Sequence, residues 1–246
     1  MSTDDPTEIE GLRAAGRAVA ATLRELRRHV RPGVTTAELD EVAARTMARH
    51  GGRSAPRLVY DFPGAICISV DDEAVHGIPG PRRLREGQLV KLDVTVERDG
   101  FFADAAISVP VGRVKPGVSR LVATAQTALN EALEAARPGI TLSELGGIVE
   151  AAVERRGARV LRELTGHGIG RTIHEGPTVP NFADPEATET LVEGMVMTIE
   201  PIIAQSTRET VAEDDGWTIS TADGSASAHA EHTLVVRDGR PLILTA

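Results

Sequence analysis

Apolar residues recur at two spacings along this chain. A spacing of three or four runs through Ile9, Leu12, Val19, Leu23, Leu26 and Val30 and predicts a helix with one buried face. A capping box, Thr7 to Glu10, marks its start. The pattern ends at Arg31-Pro32-Gly33, and a second box, Thr35 to Glu38, opens another helix. The same phrase returns downstream as Arg137-Pro138-Gly139-Ile140-Thr141-Leu142-Ser143-Glu144-Leu145, after a helical pattern from about Val118 to Ala136. Gly51 and Gly157 keep the same offset from the two phrases. The second spacing, alternation or a short apolar run, predicts strands over 65–70, 88–97, 101–109, 160–164, 195–203 and 232–236. Helices followed by strands, twice, describe an α+β domain of two related halves, with helices on one side of a curved, mainly antiparallel sheet. One domain over 1–246 is expected, with halves of about 8–110 and 111–246 and a short tail at 1–7.

Asp99-Gly100 changes this picture from architecture to chemistry. The dipeptide is a strong signal for a two-residue hairpin loop, which would set Arg98 opposite Phe101 and Thr95 opposite Asp104. Asp93 then falls diagonally from Asp104 on the same face, with Cα atoms roughly 7 to 8 Å apart. Two carboxylates so placed repel each other unless cations lie between them. The plain alternative is the polar outer face of an ordinary hairpin.

Composition narrows the partners. The net charge of -9 argues against a sequence-independent grip on nucleic acid, which depends on Lys and Arg. A lone cysteine, Cys67, excludes an intramolecular disulfide framework, and the acidic start lacks the basic and apolar regions of a secretory signal. No run approaches the length of a membrane span. A cytoplasmic, monomeric protein is expected. Arg13, Arg17, Arg24, Arg27, Arg28 and Arg31 decorate the first helix and read as a solvated face, with ribosomal RNA as the alternative partner.

Further candidates come from the second half. Glycines surround His167 in Thr165-Gly166-His167-Gly168-Ile169-Gly170, and His174-Glu175 follows. Glu200 precedes Pro201 at the end of an apolar run, which biases it to extended backbone. Glu231 opens a strand, and His76 lies on a turn in Val75-His76-Gly77-Ile78-Pro79.

With these motifs, and with Phe62-Pro63-Gly64-Ala65-Ile66-Cys67-Ile68-Ser69-Val70, Ile199-Glu200-Pro201 and Glu231-His232-Thr233, the chain resembles type I methionine aminopeptidases of the short prokaryotic form, from about residue 8 to its end. The resemblance implies the pita-bread fold. It also implies two divalent ions held by Asp93, Asp104, His167, Glu200 and Glu231, with cobalt, manganese, iron(II) or zinc suited to oxygen ligands plus an imidazole. Glu200 would deprotonate water, His174 would stabilise the oxyanion, and His76 would contact the leaving nitrogen. The substrates implied are N-terminal peptides of nascent proteins with a small second residue. A methionine pocket would be lined by Val59, Phe62, Cys67, Ile173 and Trp217, in which two of the family's aromatics have become aliphatic. His229-Ala230 also replaces a Gln-aromatic pair usual in the family. The competing expectations are an Xaa-Pro peptidase of the same fold and a pita-bread protein that has lost catalysis.

Overall fold

Both boxes of the repeated phrase close as the sequence dictates. Thr35 Oγ1 accepts from Glu38 N at 3.0 Å while Glu38 Oε2 accepts from Thr35 N at 2.7 Å. Thr141 and Glu144 repeat this at 3.1 and 2.8 Å. The flanking glycines repeat too, with φ of 90° at Gly33 and 97° at Gly139, then 71° at Gly51 and 78° at Gly157. Each is a left-handed position that only glycine adopts without strain.

The computed structural model describes residues 1–246. In chain order the first half contains α1 (Pro6–His29), α2 (Thr36–Arg49), β1 (Arg53–Ser54), α3 (Ala55–Tyr60), β2 (Cys67–Val70), β3 (Glu73–Val75), β4 (Leu89–Arg98) and β5 (Phe101–Pro110). Next come α4 (Pro116–Ala135), α5 (Leu142–Glu154), β6 (Arg159–Val160), β7 (Gly166–Gly168), β8 (Glu175–Val179), β9 (Val196–Ile199) and β10 (Ile202–Ala204). The chain ends with β11 (Thr210–Ala212), β12 (Ile219–Thr221), β13 (Ser227–His229), β14 (His232–Val235) and β15 (Leu242–Ile243).

Three expectations are corrected. No box forms at Thr7–Glu10: Asp5 caps α1 by accepting from Thr7 N at 2.8 Å, and Pro6 fills the first turn, where a missing N–H costs nothing. The strand expected over 160–164 shrinks to β6, because Leu161 and Leu164 turn into a small core with Ile202 and Ala204. The apolar run 195–203 divides at Glu200-Pro201 into β9 and β10, which belong to different ladders, since proline cannot donate to continue one. The six arginines noted on and after α1 are exposed; Arg17 pairs with Glu10 and Arg28 with Glu25 on the same helix.

Every ladder is antiparallel. Central β4 pairs with β1 and β2 along one edge and with β5 along the other, while β9 lies between β14 and β7. Asp99 and Gly100 both take positive φ, and the register sets Thr95 opposite Asp104 and Arg98 opposite Phe101, as the loop predicts. The helices of each half cover their own core: α1 and α2 with β2, β4 and β5 in one, α4 and α5 with β9 and β14 in the other.

What joins the halves matters most for the site. Asp104 N donates to Thr233 Oγ1 at 2.8 Å, and that hydroxyl donates back to Asp104 O at 2.7 Å. Glu231 N donates to Ala106 O at 3.0 Å, and Ser108 Oγ bonds both the N and the O of His229 at 2.8 Å. The pairs 104/233, 106/231 and 108/229 step in opposite directions, as in an antiparallel ladder. Residues two apart share a face, so this seam sets His229 and Glu231 on one side, beside Asp104.

Candidate metal centre and substrate cleft

Asp93 and Asp104 come from β4 and β5, His167 from β7, Glu200 from the break after β9, and Glu231 from the residue before β14. Asp104, Glu200 and Glu231 are at most 8% exposed. Ligand atoms of Asp104, His167 and Glu231 all lie within 4.8 Å of one another, and so do those of Glu200, His229 and Glu231. All five residues expected from the sequence line one cavity of about 610 Å³. A more open hollow of about 770 Å³ beside α5, lined by Glu131, Arg137, Glu144 and Arg155 among others, contains no histidine and belongs to the surface.

Two acids are held by hydroxyl donors. Thr95 Oγ1 donates to Asp104 Oδ2 and Thr198 Oγ1 to Glu200 Oε1, each at 2.8 Å. His167 Nδ1 lies 2.9 Å from Gly168 O, which leaves its Nε2 free to face Glu200 Oε1 at 3.6 Å. A Cβ at Gly168 would collide with the backbone of Gly176, so glycine there lets the two strands close around His167.

Crowded carboxylates hold protons. Burial, then Asp104 and Glu200, pushes Asp93 well above the usual carboxylate range. Burial, then the neighbouring acids Asp104, Glu200 and Asp93, does the same to Glu231. Glu200 rises to about 7, through burial first and Asp104 next, against the lowering influence of His167 and Thr198. Asp104 Oδ1 and Glu231 Oε1 are buried without any hydrogen-bond partner. Buried acceptors facing one another call for cations between them, and the oxygen-plus-imidazole donor set suits a divalent ion.

The rest of the cavity combines an apolar slot with histidines. Phe62 and Trp217 meet edge to face at 5.1 Å, and Cys67 and Ile173 complete the lining. Burial, then Asp93 and Asp104, raises the Cys67 thiol, so it stays protonated. His174 meets His167 edge to face at 4.2 Å, and burial, with His167 and His76 nearby, lowers it to about 4. His76 has φ of 59°, an uncommon conformation for a side chain-bearing residue, and faces the same cavity. Burial and His229 lower its pKa.

Val59 is the expected pocket residue that the structure does not bring there. It is 42% exposed on α3, and Tyr60 takes the place at the cavity, its Oη 2.6 Å from His174 Nδ1. The helical turn rotates successive side chains by about 100°, so Val59 and Tyr60 cannot face the same way. In the sequence His229 stands out only as a departure from the family beside Glu231 and does not count among the ligands; its spacing of two from Glu231 in a strand-like stretch is the available signal.

Fold and site together define a pita-bread metallopeptidase, and the chain belongs to metallopeptidase family M24, whose profile matches residues 10–238. It is 38% identical over 238 residues to the methionine aminopeptidase of Clostridium perfringens (strain 13 / Type A), covering 97% of this chain and 96% of that protein. The crystal structure of methionine aminopeptidase from Rickettsia prowazekii matches with a TM-score of 0.95 at 36% identity, over 100% of both chains. Prolidase from Pyrococcus furiosus shares the fold alone, at 22% identity and a TM-score of 0.80, over 98% of this chain and 64% of that one. Membership in this family implies use of a divalent metal, and the orphaned acceptors of Asp104 and Glu231 fit one.

Proposed function

We propose that this chain is a metal-dependent methionyl aminopeptidase, which removes N-terminal methionine from nascent proteins when the second residue is small. The observation that carries the reading is the junction of an apolar slot with a cluster of buried, mutually repelling acids in one cavity. Asp93, Asp104, His167, Glu200 and Glu231 would hold two divalent ions, of cobalt, manganese, iron(II) or zinc. When bound, the ions lower the pKa of water and polarise the scissile carbonyl.

The chain's own groups supply the remainder. Glu200 would take the proton of the attacking water and return it to the leaving amine. Tyr60 Oη and His174 Nδ1 lie 2.6 Å apart; with the phenol as donor, the imidazole proton stays on Nε2, where it would hydrogen-bond the oxygen on which charge develops. His76, fixed by its backbone, contacts the peptide nitrogen. Phe62, Cys67, Ile173 and Trp217 receive the methionine side chain, whose thioether packs well against ring edges.

The test is release of free amino acid from Met-Ala-Ser and Ala-Pro-Ala by metal-stripped protein reloaded with each of the four metals. Methionine release that requires metal and disappears in Asp104→Ala is expected. Cleavage of the proline peptide alone would replace this reading with an Xaa-Pro specificity, and no cleavage despite bound metal would leave a binding role.

A further inference from the structure

His229 is the most deeply buried imidazole of the cavity region, 1% exposed, and neither of its ring nitrogens has a hydrogen-bond partner. Buried polar nitrogens are almost always paired, so the position calls for a partner that protein atoms do not provide. Its backbone is held in place. The backbone is bonded through both N and O to Ser108, and β13 pairs His229 with Ile202 of β10.

The surroundings of Nε2 indicate what the partner is. Nε2 lies 3.6 Å from Glu200 Oε2 and 3.7 Å from Glu231 Oε2. Both distances exceed those of a normal N–H···O hydrogen bond. They approach the ~3.4 Å that separates two ligand atoms bound tetrahedrally to one zinc-sized ion. Glu200 thus stands between two imidazoles, with Oε1 3.6 Å from His167 Nε2 and Oε2 the same distance from His229 Nε2. The two donor triads, Asp104–His167–Glu231 and Glu200–His229–Glu231, have only Glu231 in common.

We infer that His229 is a further metal ligand, joining Glu200 and Glu231 so that the centre has two imidazoles, one from each triad. The inference rests on the carboxylate cluster being a divalent-metal site. An extra neutral nitrogen donor strengthens binding of zinc and cobalt more than that of manganese, which favours oxygen ligands. It also makes His229 a determinant of metal choice at a position outside the five ligands already named.

The experiment is proton NMR of the protein loaded with two equivalents of cobalt(II), which shifts the N–H of each coordinated imidazole far outside the ordinary range. Two exchangeable shifted signals are expected in the wild type and one in His229→Gln. Calorimetric titration should show cobalt and zinc affinity reduced at least tenfold in His229→Gln, and manganese affinity reduced less. The wild-type signal count needs no variant, and His229→Asn provides a second replacement if glutamine disturbs folding. A single shifted N–H in wild type carrying two cobalt ions would overturn the inference and leave the metal-centre reading intact. Failure of the wild type to bind cobalt at all would overturn both.

Discussion

Tyr60 and His174 show how much of this site depends on single atoms. The phenol is 2.6 Å from Nδ1, and burial raises its pKa, so it stays protonated and able to donate. With His174 lowered to about 4, the imidazole is neutral at working pH, and the hydrogen bond decides which nitrogen holds its proton. Tyr60→Phe is expected to lower kcat about tenfold, the usual scale for an orienting partner. His174→Ala should lower kcat by roughly 10² to 10³, as loss of an oxyanion donor does. Both variants should retain wild-type metal content by elemental analysis; loss of metal from either would assign the residue to holding the centre instead. His174 was legible from its glycine-rich setting. Tyr60 was not, because Val59 and Tyr60 are adjacent and only the orientation of α3 selects between them.

At the scale of elements, hydrogen bonds local in sequence proved readable. The repeated Thr-x-x-Glu phrase needs only four consecutive residues to form its reciprocal bonds, and it forms in both halves. Thr35→Ala and Thr141→Ala should each cost about 1 kcal/mol in urea unfolding. The double variant should lose close to their sum, since the two helices pack in separate cores. Thr7→Ala should lie within about 0.5 kcal/mol of wild type, because Asp5 is the cap of α1. A cost at Thr7 as large as at Thr35 would restore the box that the structure lacks. The Asp-Gly hairpin was equally legible, down to its register. Short strands such as β3, β11 and β12 were not, since none contains enough apolar alternation to announce itself and each exists through its pairing partners.

Over the whole molecule, the acids couple metal binding to stability. In the metal-free protein Asp93, Glu200 and Glu231 keep protons that the unfolded chain releases near pH 4 to 4.5, with Glu200 holding its proton up to about 7. Between those limits these three acids bind more protons in the native than in the unfolded state, a contribution to stability that falls as pH rises, while His76, His174, His229 and His232, lowered by burial, contribute in the opposite sense. Metal-stripped Glu231→Gln should therefore gain stability relative to metal-stripped wild type as pH rises from 5 to 7.5, because it lacks one of the buried acids that must ionise. A divalent ion should raise the melting temperature more at pH 7.5, where it replaces the lost protons. A gain from Glu231→Gln no larger at pH 7.5 than at pH 5 would mean that the acids do not face one another. By itself the sequence determined the four long helices, the Thr-x-x-Glu caps of α2 and α5, the central hairpin with its two aspartates, the duplication of the plan, and the four acids and one imidazole that line one cavity. Each of those depends on bonds or periodicities spanning a few residues, or on motifs of specific residue order. Only the tertiary structure decided that Tyr60 and not Val59 faces the cavity, and that the seam from Asp104 to Ser108 against Thr233 to His229 brings a second buried imidazole to Glu200 and Glu231. Those outcomes depend on how two distant segments dock, and the physical reason they were hidden is that docking is settled by packing between halves, which no local pattern encodes.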